Sequence, residues 1–307
     1  MFRYILKRLG SALPTLFIII TIAFFLIRLA PGGPFDEERP VPAEIARNLD
    51  QVYHLSDPLL LQYGHYLLNL LQGDFGPSFK YLDYSVTELI LSGFPVSLRL
   101  GGMAMILAFF LGTLLGTQAA LRQNSRWDYA VMTLAMTGIA VPAFVMAPVL
   151  ALVFGIYLPW FPVAGWDAND WHYQVLPILA LSLPQIAYIA RLTRASMIET
   201  LHSPYIRTAN AKGLPTSLIL FRHASRGALL PVISYLGPAT AAIITGSVVV
   251  EQIFSIPGIG RYFVQGALNR DYTLVMGVVI FYATVIILLN LLVDIIYGWL
   301  DPRVRIE

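Results

Sequence analysis

Six apolar runs on the scale of a bilayer crossing divide this chain, and they constrain its fold more than any other feature. A hydrocarbon core about 30 Å thick takes about 20 apolar residues as helix. The runs lie at about 9–27, 96–121, 131–158, 175–189, 229–253 and 274–300. Only 12% of the 307 residues are charged and 57% are hydrophobic, whereas a soluble domain carries about 25% charged residues to cover itself. The expectation is therefore an all-α membrane protein with six transmembrane helices in one domain, 1–307. The fourth run is the shortest. Pro177 and Pro184 interrupt it and Arg191 and Arg194 close it, so a re-entrant segment competes there with the expected full crossing.

Lys7 and Arg8 precede the first run, as in a signal peptide. That run exceeds the usual apolar stretch of about 7 to 15 residues, and Ala30-Pro31-Gly32-Gly33-Pro34 is a poor cleavage site. An uncleaved first span is expected. Basic residues near span ends are retained in the cytoplasm. Arg3, Lys7, Arg8, Arg122, Arg126, Arg191, Arg194, Arg207, Lys212, Arg222, Arg226, Arg303 and Arg305 fall on one face. The other face carries fewer, namely Arg39, Arg47, Lys80, Arg261 and Arg270, beside many carboxylates. Both termini are thus expected in the cytoplasm.

Two connections are long enough to hold structure. The outer loop, 30–95, contains expected helices at Pro42 to Tyr53 and Pro58 to Leu71, followed by the turn-rich Gly73-Asp74-Phe75-Gly76-Pro77-Ser78. Leu59, Leu60, Tyr63, Leu67, Leu70 and Leu71 recur at helical spacing, which suits packing on the spans better than a free interfacial helix. The inner segment, 190–228, is read as a finger. Pro204 is placed to start a helix over Tyr205 to Lys212, Gly213-Leu214-Pro215 to end it, and a second helix is expected over Thr216 to Arg226. A helix-Gly-helix finger suits docking on a cytoplasmic partner better than service as a bare basic connector.

Several chemistries lack their residues. There is no Cys, and so no disulfide or thiolate site. None of Lys7, Lys80 and Lys212 follows a Gly, so the phosphate-cradling P-loop is missing. His54, His65, His172, His202 and His223 show no metal-ligand spacing, and no Gly-x-Ser-x-Gly elbow occurs. A net charge of +2 is too small to suggest nucleic acid. An enzyme is not expected, nor a cofactor or metal in this chain. Arg28, Arg99, Glu251 and Asp294 are ionisable groups near span ends, where snorkelling toward an interface accounts for them.

The segment Tyr205-Ile206-Arg207-Thr208-Ala209-Asn210-Ala211-Lys212-Gly213 resembles the cytoplasmic coupling loop of the permease subunits of bacterial ATP-binding-cassette importers. Arg207 stands where the general Glu-Ala-Ala form has an acid, a version similar to that of the peptide and nickel branch. Asn210 replaces a more usual Arg. The resemblance extends over nearly the whole chain. It includes Arg8-Leu9 with Pro14, Pro31 to Pro34, Gly73 to Ser78, Val141-Pro142-Ala143-Phe144, Glu251 to Gly260, Asn269 to Tyr272 and Asp301-Pro302-Arg303. Phe75 to Lys80, Asp83 to Val86 and Leu201-His202-Ser203 look most like the oligopeptide permeases of Gram-negative bacteria.

This resemblance implies a type I importer permease fold and a set of partners. These are a second homologous permease subunit, two ATP-binding subunits holding ATP and Mg, an external peptide-binding protein, and membrane lipid. Coupling to the ATPases would fall on Tyr205, Ile206, Arg207, Thr208, Ala209, Ala211, Lys212 and Gly213. Gly138, Pro142, Gly237 and Pro238 are candidate path or hinge residues, although helix packing explains them equally well. The implied substrates are oligopeptides, with dipeptides, nickel or murein peptides open. A stand-alone secondary carrier is the less favoured alternative.

Overall fold

Each apolar run becomes helix, but the ends and breaks are set by capping residues and prolines. The computed structural model describes residues 2–29, 57–81 and 83–300; the expected helix at Pro42 to Tyr53 and the tail beyond 300 lie outside them. The helices are α1 (Phe2–Leu29), α2 (Leu59–Leu71), α3 (Val86–Leu121), α4 (Arg126–Ala140) and α5 (Ala143–Leu150), which continues as a π-helical stretch, Ala151–Tyr157. Next come α6 (His172–Leu201), α7 (Pro204–Ala211), α8 (Thr216–Leu218), a π-helical stretch Ile219–Ala224, and α9 (Ser225–Ala228). The chain continues through α10 (Leu230–Gly246), α11 (Val248–Ile253), α12 (Ile259–Leu268) and α13 (Tyr272–Leu300). Among the described residues five helices or helix pairs are long and apolar enough to cross a membrane, and a sixth crossing requires α4 and the segment from Ala143 to Tyr157 to act together across a bend of 103°.

That bend corrects the expected third span, 131–158. Val141 precedes a proline, whose ring disfavours the helical conformation of the residue before it. It adopts φ −90° and ψ 114°, and Pro142 then starts α5 in a new direction. The second span is longer than 96–121. Ser85 accepts a hydrogen bond from the Glu88 amide at 3.2 Å, and the Glu88 carboxylate accepts from the Ser85 amide at 2.8 Å. This reciprocal cap starts α3 at Val86, so the connection expected to reach 95 ends at 85, with Pro95 carried inside the helix. The fourth segment, expected over 175–189, runs unbroken through Pro177 and Pro184 to Leu201, so the re-entrant alternative does not apply to it. The expected span 229–253 is interrupted at Ser247, and the expected span 274–300 starts at Tyr272, where Asp271 Oδ1 accepts from the Leu274 amide at 3.0 Å.

In lipid, helices gain no hydrophobic free energy by leaving the hydrocarbon, so close packing of small residues becomes the main route to association. The α3 helix follows this logic. A Cβ on Gly116 would stand 2.4 Å from the Ala190 carbonyl oxygen, and one on Gly112 2.8 Å from Ile189, so α3 and α6 nearly touch backbone to backbone. On the same helix a Cβ on Gly101 would meet Ile244 of α10 at 2.8 Å. The main core is built around these seams, with Leu100, Ala104, Ala108, Leu176, Ala180, Ile189 and Val232 buried together. The α2 helix, in the connection between α1 and α3, packs on α1 through Phe24, whose ring lies 5.2 Å from Tyr63 and 5.8 Å from Tyr66. Thr21 and Tyr63 share a hydroxyl hydrogen bond of 2.6 Å.

Candidate coupling finger and outer groove

The finger emerges from the end of α6. Ser196 Oγ of that helix donates to the Ala228 carbonyl at 2.6 Å, tying the two ends of the finger together at its base. Proline at the first helical position costs no hydrogen bond there, and Pro204 starts α7, which ends at Ala211, one residue before the expected Lys212. Two residues of α7 face inward. Ile206 (1% exposed) and Ala209 (6%) pack with Ala120, Met197, Ile219, Ala224 and Ala228 in a small apolar cluster of their own. Tyr205, Arg207, Thr208, Ala211, Lys212 and Gly213 remain exposed. The Tyr205 hydroxyl lies back toward the base, 3.3 Å from where a Cβ on Gly227 would stand.

Gly213 ends α7 with φ +73°, a left-handed value that residues with a Cβ reach only at a cost. Its amide donates to the Asn210 carbonyl at 2.9 Å, and the Leu214 amide to Ala209 at 3.4 Å. A Cβ there would meet nothing within 4 Å, so the glycine serves conformation rather than space. The expected second helix, 216–226, is instead α8, a π-helical stretch and α9 in sequence. Phe221 is 84% exposed on this stretch, an apolar residue the sequence pattern did not single out.

At the base of the finger, Arg194 of α6 holds Asp128 of α4. Arg194 Nε donates to Oδ1 at 2.6 Å and Nη2 to Oδ2 at 2.7 Å, while Oδ2 also accepts the Asn124 amide at 2.9 Å. Asp128 is 1% exposed. Nearby, the Tyr188 and Tyr235 rings stack at 4.3 Å, and the Arg191 guanidinium carbon lies 5.2 Å from the Tyr188 ring centre. In the sequence Arg191 and Arg194 mark only the end of a span. The missed signal was Ser125 three residues before Asp128, which caps α4 and presents that carboxylate to α6.

The structure treats the candidate path residues unevenly. A Cβ on Gly138 would meet Ala187 at 3.1 Å and one on Gly237 would meet Val293 at 2.9 Å, so both glycines sit at helix seams. Pro142 makes the bend, and Pro238 is exposed. The ionisable residues do not simply snorkel. Asp294 pairs with Arg8 at 3.1 Å, Arg99 donates to the Ala168 carbonyl at 2.9 Å, and Arg28 lies 5.5 Å over the Phe24 ring. Glu251 is 1% exposed. Its Oε1 accepts from Ser97 at 2.6 Å and Ser247 at 2.5 Å, and its Oε2 accepts from the Gly260 amide at 2.9 Å. Gly258 and Gly260 leave room for this carboxylate, since a Cβ on either would stand within 2.8 Å of it. One buried carboxylate thereby binds α3, α11 and α12 together.

A groove of about 630 Å³ opens at the opposite end from the finger, between the start of α3 and α12. Tyr81, Tyr84, Glu88, Ser92, Arg261 and Tyr262 line it. Burial raises the Tyr81 phenol above its ordinary range, which keeps it a donor, and its hydroxyl donates to Gln265 Oε1. Asp271, fully buried, accepts from Ser78 Oγ at 2.5 Å and from the Lys80 amide at 3.1 Å, and fixes this wall of the groove to the start of α13.

Residues 83–306 match the family of binding-protein-dependent transport system inner membrane components. The chain is 56% identical over 305 residues to the oligopeptide transport system permease protein OppB of Haemophilus influenzae, an alignment covering 99% of this chain and 100% of that one. Identity to OppB of Escherichia coli K12 is 55%, with the same coverage. The dipeptide transport system permease protein DppB of Bacillus subtilis is 46% identical over 307 residues, 100% of this chain and 99% of the relative.

Proposed function

The chain belongs to the family of binding-protein-dependent transport system inner membrane components, and from that premise we propose that it is the transmembrane subunit of an ATP-driven importer of oligopeptides. It is a multi-pass protein of the bacterial inner membrane. Its work is transport rather than chemistry on a substrate. A second homologous permease would complete the path, an external peptide-binding protein would deliver the substrate, and two ATP-binding subunits would carry ATP and Mg. Both termini and the finger would lie in the cytoplasm, in keeping with the basic residues on that face.

The observation that carries this reading is the construction of the finger. The α7 helix is gripped on one side by Ile206 and Ala209 and leaves Arg207, Thr208, Ala211 and Lys212 open on the other. A partner that pulls on this open side moves a packed unit joined to α6 rather than a loose loop. ATP-driven closure of the ATPases would shift α7, and α6 would carry that displacement to the seams with α3 and α4. Two packed arrangements of those helices would then expose the path to opposite sides of the membrane.

Gentle purification of the native-level complex, with the stoichiometry of what accompanies it, tests the assembly. A related permease and two ATPases are expected. Uptake of labelled peptides into vesicles supplied with the binding protein tests the substrate. The 46% identity to a dipeptide permease supports one second reading, which preferential uptake of dipeptides over longer peptides would favour. Transport by this chain alone under an ion gradient would replace both with a stand-alone carrier.

A further inference from the structure

We infer that the groove between α3 and α12 is an entry subsite that takes a short peptide by its charged ends, the carboxylate on Arg261 and the ammonium group on Glu88. This rests on the oligopeptide-import reading and adds a place where the permease itself meets the substrate.

The charges motivate it. Arg261 is half-buried, with Nη2 donating to the Tyr262 hydroxyl at 2.9 Å and its guanidinium carbon 4.8 Å from the Tyr262 ring centre. No carboxylate lies within ion-pair distance of it among the described residues, and its Nε makes no hydrogen bond. A partly desolvated cation without a counter-charge is costly, and a ligand carboxylate would remove that cost through the charge-assisted geometry that guanidinium favours. Glu88 supplies the opposite sign in the same groove. One of its oxygens accepts the Ser85 amide, and it is not close enough to Arg261 to pair with it.

Shape and chemistry then select the ligand. Glu88, Ser92 and Val96 recur at every fourth position of α3, so the groove descends along one helix face for about 12 Å, eight residues at a rise of about 1.5 Å. Tyr81, Tyr84 and Tyr262 form walls with apolar faces and polar edges, which tolerate many side chains while separated charges fix the main-chain ends. A nickel ion fits poorly. The groove offers one carboxylate, no histidine and an opposing cation, whereas such an ion needs several oxygen or nitrogen ligands.

The test uses the complete transporter in proteoliposomes, with uptake measured from preloaded binding protein so that capture by that protein cancels in the ratio of variant to wild type. The probes are a free tripeptide, its C-terminal amide and its N-acetyl form. Arg261→Gln is expected to slow uptake of the free tripeptide about tenfold, the scale of one lost charge-assisted hydrogen bond, and to leave amide uptake at the wild-type level. Arg261→Lys should recover most of the loss. Glu88→Gln keeps the helix cap and should abolish discrimination against the N-acetyl form alone. Equal effects of Arg261→Gln on acid and amide would overturn the subsite, as would failure of that variant to co-purify with the second permease, which would mark the groove as a subunit interface. Absence of ATP-driven uptake by the wild type would instead overturn the import reading on which the subsite rests.

Discussion

Arg194 grips both carboxylate oxygens of Asp128, at 2.6 and 2.7 Å, and so fastens the start of α4 to the half of α6 that leads into the finger. A bidentate pair at this depth resists rotation of one helix against the other. It therefore keeps α6 from swivelling freely when the finger is displaced.

Removing one member of this pair should be worse than removing both. Asp128→Asn leaves a guanidinium, itself 25% exposed, without its counter-charge, and the loss of this charge-assisted bidentate contact costs about 1.5 to 3 kcal/mol. The expected result is a clear fall in the thermal inactivation temperature of the detergent-solubilised complex. The double variant Asp128→Leu with Arg194→Met should recover much of it. A double variant no more stable than Asp128→Asn would show that the pair does not act as a unit.

Gly213 separates conformation from bulk. Gly213→Ala forces a Cβ into the left-handed region at a cost of about 1 to 2 kcal/mol, although no atom lies within 4 Å of it. Gly213→Asn should be milder, because Asn visits that region more readily. Peptide uptake is expected to rank wild type, then Asn, then Ala. Equal uptake by all three would show that the end of α7 need not keep its present shape.

Ile206 and Lys212 should fail in different ways. Ile206→Ala removes the buried anchor of α7 and should leave the ATPases bound while lowering uptake per ATP hydrolysed. Lys212→Glu inverts an exposed charge and should reduce the amount of ATPase that co-purifies. Measuring both quantities on both variants distinguishes force transmission from docking. Identical behaviour would refute the division of the helix into a gripped face and an open face.

Gly116→Val should prevent assembly of the α3 and α6 seam, since even its Cβ would stand 2.4 Å from the Ala190 carbonyl oxygen. Gly102 is adjacent to the same helical stripe but has nothing within 4 Å. Gly102→Ala is therefore the matched control, and its yield in the membrane should equal that of wild type. Comparable yields for the two variants would contradict the close approach of these helices.

Glu251→Gln tests the buried cradle. Both serine hydroxyls and the Gly260 amide donate to this carboxylate, and a carboxamide can accept on only one of its two terminal atoms. One donor is left facing another, at a cost of about 1 to 3 kcal/mol. The variant should release α12 from α3, seen as faster alkylation of a cysteine placed at Leu89, which is buried between the two helices. Unchanged alkylation would mean that the carboxylate does not hold these elements together.

The order of the apolar helices, the proline start and glycine end of α7, and the family of the chain were legible in the sequence, because length, hydropathy and local backbone chemistry are properties of neighbouring residues, whereas the sixth crossing depends on a bent pair. The bend at Pro142 was half legible. Its proline was visible, but whether a helix absorbs a proline, as α6 does at Pro177 and Pro184, depends on what packs around it. Arg194 and Glu251 show the limit most clearly. In sequence one ends a span and the other lies near a span end, and their partners Asp128 and Ser97 lie 66 and 154 residues away. Only the tertiary structure brings those groups together. The free energy of a buried charge is decided by the donors and counter-charges within a few ångströms of it, not by its neighbours along the chain.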